Sequence, residues 1–175
     1  MGLRMKAERG VSLIEILVYT GVLLLIVAAV GSTVVALSRV YQSMSAEQRI
    51  EEAAEVALER MLRETRRAKN LDIAQSSFDT AAGQLTLNTT DDGGAPLSMQ
   101  LFLMDGSIHI KRTGVDIGPL TPASTRTTKL LFRSITTARS QAVKIEMAIE
   151  SGTSTNYRSK SFYGTAVLRG SYLNQ

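Results

Sequence analysis

Between Glu15 and Arg39 the chain carries no charge for 23 residues, Ile16–Ser38. As a helix rising 1.5 Å per residue, that run covers roughly 35 Å, enough to cross a hydrocarbon core of about 30 Å. A secretory signal needs only about 7–15 apolar residues, so the run is too long for that reading alone. Residues 11–38 hold 20 hydrophobic side chains in 28 positions, against 44% for the whole chain. The average therefore hides two materials joined end to end. In front of the run stands MGLRMKAERG, with Arg4, Lys6 and Arg9 set against Glu8. A basic leader stays in the cytoplasm and sends the following chain outward. The expectation is a single-pass anchor in the cytoplasmic (inner) membrane, with the rest of the chain outside the cytoplasm.

The residue inventory narrows the chemistry. There is no cysteine and one histidine, which excludes a disulfide framework, thiolate zinc sites, cysteine nucleophiles and histidine-rich metal centres. No nucleophile–base constellation and no glycine-rich phosphate loop stands in the sequence. An enzyme is not expected, and no cofactor is implied.

Glu15 is the anomaly, because a carboxylate at the start of an apolar span is costly and usually has a partner. Its surroundings, Arg9-Gly10-Val11-Ser12-Leu13-Ile14-Glu15, join a short basic leader ending in glycine to a long apolar helix. This string resembles the class III signal of type IV pilins and of the pseudopilins of type II secretion and competence systems. The resemblance covers about the first 40 residues closely. It implies cleavage between Gly10 and Val11 by a membrane-embedded prepilin peptidase, which in that family also methylates the new N-terminus. It also implies an assembly role for Glu15. The spacing makes physical sense on its own: cleavage creates an ammonium at Val11, one helical turn from the Glu15 carboxylate. Either charge alone is expensive in the bilayer, and a hydrogen-bonded pair is much less so. A neighbour shifted along the axis brings its own Glu15 to that amine.

Two positions depart from the family pattern. Val11 stands where phenylalanine is usual, and Ser32 beside Gly31 stands where many major pilins carry a helix-breaking proline. Gly21 and Gly31 loosen a helix without breaking it. Ala29-Val30-Gly31 before Ser32 is a competing leader-peptidase site that would release a soluble protein. The glutamate inside the apolar segment and the run on to Leu37 argue against it.

From Arg39 to Lys69 there is neither proline nor glycine, and strong helix formers dominate. Ala54, Leu58, Met61 and Thr65 recur at helical spacing, and Val40, Met44 and Ile50 extend the stripe upstream, as one face laid on a small domain. An unbroken helix to about Asn70 is expected. Its charges are segregated: Glu47, Glu51, Glu52, Glu55 and Glu59 precede Arg60, Arg63, Arg66, Arg67 and Lys69. Glu59 and Arg63 have i,i+4 spacing. The basic end suits the helix dipole, and the segregation also suits a neighbour displaced along the axis.

Residues 71–175 turn to Thr, Ser, Gly and alternating apolar residues, the pattern of strands. Leu97–Met104, Asp105-Gly106 and Ser107–Arg112 read as a hairpin on a type I′ turn. Val143, Ile145, Met147 and Ile149 alternate with Lys144, Glu146, Ala148 and Glu150 as a half-buried strand. Lys129–Ile135 and Phe162–Arg169 are further strands, and Thr113–Thr128, with Pro119 and Pro122, reads as a long connection. His109 is expected on an exposed strand face. Asp91-Asp92-Gly93-Gly94 reads as a turn better than as a calcium loop, and no position matches the calcium sites of major pseudopilins. Charge is uneven: residues 70–120 hold six aspartates against Lys111 and Arg112, whereas residues 121–175 hold eight basic residues against Glu146 and Glu150.

The fold class expected is α+β: a long N-terminal helix packed on a curved antiparallel sheet. Its parts are a leader (1–10), a membrane and assembly helix (11–38), an amphipathic continuation (39–70) and a β-rich head (71–175). The function expected is that of a structural subunit, a minor pilin or pseudopilin. The cysteine-free head and, faintly, the ending Phe162–Gly170 suggest the minor type. The partners implied are the prepilin peptidase, other pilin-like subunits, an inner-membrane assembly platform and membrane lipid. The alternative is an anchored module that binds DNA or a surface through the basic C-terminal region.

Overall fold

The computed structural model describes residues 12–91, 93–137, 140–153 and 156–172. The leader and the Gly10–Val11 junction lie outside them. The chain divides into two compact units, Met1–Tyr41 and Gln42–Gln175.

The first unit contains the start of helix α1, which runs over Leu13–Arg67. Gly21 and Gly31 leave it unbroken, as expected. Hydroxyl groups within the apolar stretch are satisfied by the helix itself: Thr20 donates to the Ile16 carbonyl at 2.8 Å, while Ser32 and Thr33 donate to the Ala29 carbonyl at 2.8 and 2.9 Å. This local bonding lets serine and threonine enter a medium that offers no other partner.

The second unit is α+β and contains the rest of α1. The helix buries Ala46, Ile50, Ala53, Ala54, Ala57, Met61, Glu64 and Thr65, at the three- and four-residue steps that keep one face inward. The expected stripe holds at Ala54, Met61 and Thr65, with Leu58 partly buried. Upstream it holds at Ile50, which is buried, and fails before it, because Val40 and Met44 are 53% and 61% exposed. There α1 meets the loop leading into the last strand and not an apolar sheet face. Gln42 accepts a hydrogen bond from the Asn156 amide, and Ser43 accepts one from the Arg158 guanidinium. The helix stops at Arg67, three residues before the expected end, because the chain is captured by a sheet: the Lys69 amide donates to the Asn88 carbonyl at 2.8 Å.

Two antiparallel sheets take the place of the one expected. The first has the order β1 (Asn70–Leu71), β2 (Gln84–Thr90), β3 (Pro96–Met104), β4 (Ser107–Arg112) and β5 (Val115–Pro119). The second has β6 (Arg126–Thr136), β7 (Gln141–Ser151) and β8 (Arg158–Val167). An isolated parallel bridge, Ala82 to Leu130, connects them. Leu85, Leu87, Leu101 and Ile108 from the first sheet share one core with Phe132, Ile145, Met147 and Ile149 from the second and with the helix stripe. Four of the buried helix residues are alanines, whose short side chains permit close approach of helix to sheet.

The β3–β4 hairpin forms as expected, with positive φ at Asp105 (52°) and Gly106 (78°), the conformation of a type I′ turn. The presumed connection after Arg112 contains a strand instead. Thr113 and Gly114 repeat the positive-φ pair, at 49° and 82°, and fold β5 back onto β4. Its short Val-Asp-Ile-Gly-Pro sequence is exposed at nearly every position, so no apolar alternation marks it. Strand β8 starts at Arg158, four residues before the expected Phe162. Strand β6 is longer than Lys129–Ile135, and its register shifts between Thr127 and Lys129, which accounts for its irregular pattern.

Gly164 faces the helix: a Cβ there would lie 3.0 Å from one Leu58 methyl carbon and 3.1 and 3.2 Å from those of Leu62. Gly164→Val should therefore overpack this contact and cost about 1–3 kcal/mol, read as a lower denaturant midpoint at an unchanged slope.

Candidate functional site

Glu15 lies in the first turn of α1, where the unpaired amides and the helix dipole favour a carboxylate. The Ser12 carbonyl receives the Glu15 amide at 3.0 Å and the Ile16 amide at 3.2 Å, which starts the helix. The Tyr19 hydroxyl donates to Glu15 Oε1 at 2.8 Å. The sequence reading passed over Tyr19, although its position four residues after Glu15 puts the two on one face. This bond satisfies one carboxylate oxygen. Gly10 and Val11, the other two residues singled out, lie outside the described residues.

Around this carboxylate the helix is apolar on every side. An 18-residue window within it reaches a mean hydropathy of 2.6, and none of that window is buried. Every residue from 12 to 42 is exposed, including Leu17 and Leu23–Val27. Contiguous apolar surface of this kind marks contact with lipid or with protein. The helix is long and apolar enough to cross a membrane.

Charges on the second half of α1 are partly paired. Glu59 and Arg63 meet at 3.1 Å, as their spacing predicted, and Arg60 holds the buried Glu64 at 2.9 Å. Lys160 of β8 reaches Glu51 at 2.6 Å, and that hydrogen bond and charge push the ammonium pKa above its ordinary value. A cleft of about 110 Å³ adjoins Glu64, Arg67, Asp91 and Arg112, well below the usual volume of a small-molecule site.

The basic C-terminal region is less free than its composition suggested. Lys144, Lys129 and Arg133 converge on Glu146 at 3.0, 3.4 and 3.8 Å, and Arg133 also reaches Asp79 at 3.3 Å. The Lys144 hydrogen bond holds the Glu146 carboxyl below its ordinary pKa, with further help from Lys129 and Arg133 and against partial desolvation. His109 is half-buried and not exposed as expected. Its Nδ1 lies 3.0 Å from Asp116, and its ring packs 5.8 Å from that of Phe102. Desolvation alone would raise the Asp116 pKa, but the Gly118 amide and His109 outweigh it and bring it down. At Asp91 the turn reading holds, since its Oδ1 accepts the Gly93 and Ala95 amides at 2.9 and 2.8 Å. Asp92 lies outside the described residues. Among the described residues, no group of three or more acidic or histidine side chains is placed to hold a metal ion.

Compared with known proteins, the chain matches no family model, no curated protein and no solved structure. Its fold therefore rests on its own geometry: α+β, with a long N-terminal helix of membrane-spanning length and two antiparallel sheets of five and three strands.

Because the folded Glu146 pKa is depressed, its contribution to stability is present above the ordinary carboxylate range and is lost as pH falls through the folded value. Thermal melts between about pH 7 and pH 3 should show a stability loss on the acid side that is smaller in Glu146→Gln. Parallel pH profiles in the two proteins would count against the cluster.

Proposed function

We propose that this chain is a structural subunit of a type IV pilus-like or pseudopilus filament, of the minor pilin or pseudopilin type. A prepilin peptidase processes it after Gly10, and an inner-membrane platform assembles it. The observation that carries this reading is the leader motif and its spacing, Gly10-Val11 followed by Glu15 at the head of a lipid-length helix. The antiparallel head on the same chain is compatible with it. The processed subunit begins with the Val11 ammonium, and a neighbour's Glu15 accepts that charge. Tyr19 holds one oxygen of the carboxylate and so fixes its direction. Extraction from the bilayer is then rewarded only where a partner supplies the opposite charge.

The DNA-binding alternative is less well supported. Lys129, Arg133, Lys144 and Lys160 already face carboxylates, which leaves fewer cations to meet phosphates.

Mass spectrometry of the mature N-terminus, with and without the host's prepilin peptidase, tests the processing step. A product beginning at Val11 only when the peptidase is present is expected; one beginning at Ser32 would remove the filament reading. In Glu15→Ala, cleavage should continue while incorporation into filaments falls roughly tenfold or more, since the partner's charge is left unpaired. Undiminished incorporation would refute the pairing role.

A further inference from the structure

The edges of the two sheets are not treated alike. Beside β6 the chain itself closes the edge: the Asp79 amide donates to the Phe132 carbonyl at 2.9 Å, and Gly83 and Ala81 bond both polar groups of Leu130 at 2.7 Å. Strand β1 is only two residues long. Strand β5 is short, its pairing with β4 is irregular between Ile110 and Lys111, its Gly118 amide is taken by Asp116, and it ends in Pro119. Short strands, bulges and prolines are the ordinary means of blunting a sheet edge. Strand β8 uses none of them. It is ten residues long, contains no proline and keeps one register with β7 throughout.

The direction of its free backbone groups follows from one bond. The Leu168 amide donates to the Gln141 carbonyl at 2.9 Å, and in an antiparallel pair bonded and non-bonded positions alternate. Lys160, Phe162, Gly164 and Ala166 therefore bond to β7, while Ser159, Ser161, Tyr163, Thr165 and Val167 turn their amides and carbonyls away from it. Among the described residues no hydrogen bond is made to these outward groups. The bonded set points its side chains at the helix and core: Lys160 reaches Glu51, Gly164 lies against Leu58 and Leu62, and Ala166 is buried. The outward set lies on the opposite sheet face, where Tyr163 is exposed and the Lys144 ammonium sits 5.6 Å from its ring centre. Ser161–Val167 carries no charge and is rich in aromatic and β-branched residues. Left bare, such a strand invites non-specific pairing.

We propose that the β8 edge is a docking site for an extended segment of another protein, which adds a further strand to the second sheet and carries carboxylates on the Lys144 face. The outward amides and carbonyls supply the ladder that recognises a strand. Charge selects the partner: on that face Lys129, Arg133 and Lys144 outnumber Glu146 and Asp79, and Lys144 leans over the middle of the edge. On the other face the partly buried Leu58 and Leu62 favour apolar side chains. The segment that fits is thus acidic on one side and apolar on the other. A second copy of this chain does not fit. Antiparallel pairing of two β8 edges places a two-fold axis along the sheet normal, which reverses the helix lying on the sheet, whereas copies anchored in one membrane enter it in the same direction. That exclusion rests on the reading of the chain as a membrane-anchored subunit.

Hydrogen exchange on the full-length protein in detergent tests the edge, with a synthetic peptide of alternating glutamate and valine as the probe. The Ser161, Tyr163 and Thr165 amides should slow about tenfold with the probe, while those of Phe162 and Gly164, already bonded to β7, should change little. The same peptide with lysine in place of glutamate should bind about tenfold more weakly, and Lys144→Gln should narrow that difference. Thr165→Pro removes an outward amide and leaves the β7 ladder intact, so it should abolish the protection at an unchanged melting temperature. Ser161→Pro makes the same test elsewhere on the edge, should the first variant not fold. Unchanged exchange at about 1 mM probe, or equal protection by both peptides, would overturn the proposal. Slowing of the same amides with rising protein concentration and no probe would overturn it in favour of a second copy. The mass of the N-terminus is a separate readout: cleavage before Val11 without protection removes the docking edge alone, and protection without cleavage removes the processing step alone.

Discussion

Helix α1 must satisfy two surroundings with one backbone. Over its first part every side faces outward and nearly every side chain is apolar; in a hydrocarbon layer, which its length would cross, the peptide groups would have only each other as partners. The helix is the structure that meets this condition within a single segment. The polar side chains admitted there, Thr20, Ser32 and Thr33, bond back to the helix. Glu15 is placed where the helix end itself favours a negative charge. Over the second part the same helix is amphipathic, and one face belongs to the core of the C-terminal unit. Tertiary packing supplies most of the stability of such a helix.

The C-terminal unit answers with small residues at the contact. Ala53, Ala54 and Ala57 on the helix, and Gly164 on β8, remove the side-chain volume that would hold helix and sheet apart. Larger residues then fill the space between the two sheets: Phe132, Leu101, Ile145 and Met147. Charges stay at the margin and are cross-linked there, with Lys160 on Glu51 and three cations around Glu146. These pairs offset part of the uneven charge distribution, although the three cations around Glu146 outnumber the carboxylates they meet. The uneven balance between residues 70–120 and 121–175 therefore overstates how much free cationic surface the head presents.

Legibility in the sequence followed how local the determining physics is. The helix of membrane-spanning length, the Asp105-Gly106 hairpin, the Val143–Ile149 alternation and the Glu59–Arg63 pair each depend on neighbours a few residues apart, and each is legible in the sequence. Strand β5 was missed because it buries almost nothing and because its turn, Thr113-Gly114, adopts the same positive-φ pair as Asp105-Gly106 without the Asp-Gly signal. The extra exposure of Val40 and Met44 was illegible for the opposite reason. Their spacing continues an apolar stripe, and only the position of the sheet decides where that stripe stops being covered. Tyr19 beside Glu15 was available from i,i+4 spacing, but it counts among the apolar residues of the run, which hides its hydroxyl as a partner.

By itself the sequence determined the helix of membrane-spanning length, the residues that carry the proposed processing and assembly chemistry, and the α+β class. Those follow from composition, charge order and short-range spacing, which act along the chain. Only the tertiary structure decided that the strands divide into two sheets, that the helix ends at Arg67 where the sheet captures Lys69, and that His109 is half-buried against Asp116. It also decided which cations are spent on Glu146 and Glu51. These outcomes depend on groups far apart in sequence competing for the same space and the same partners, and no local pattern encodes the result of that competition.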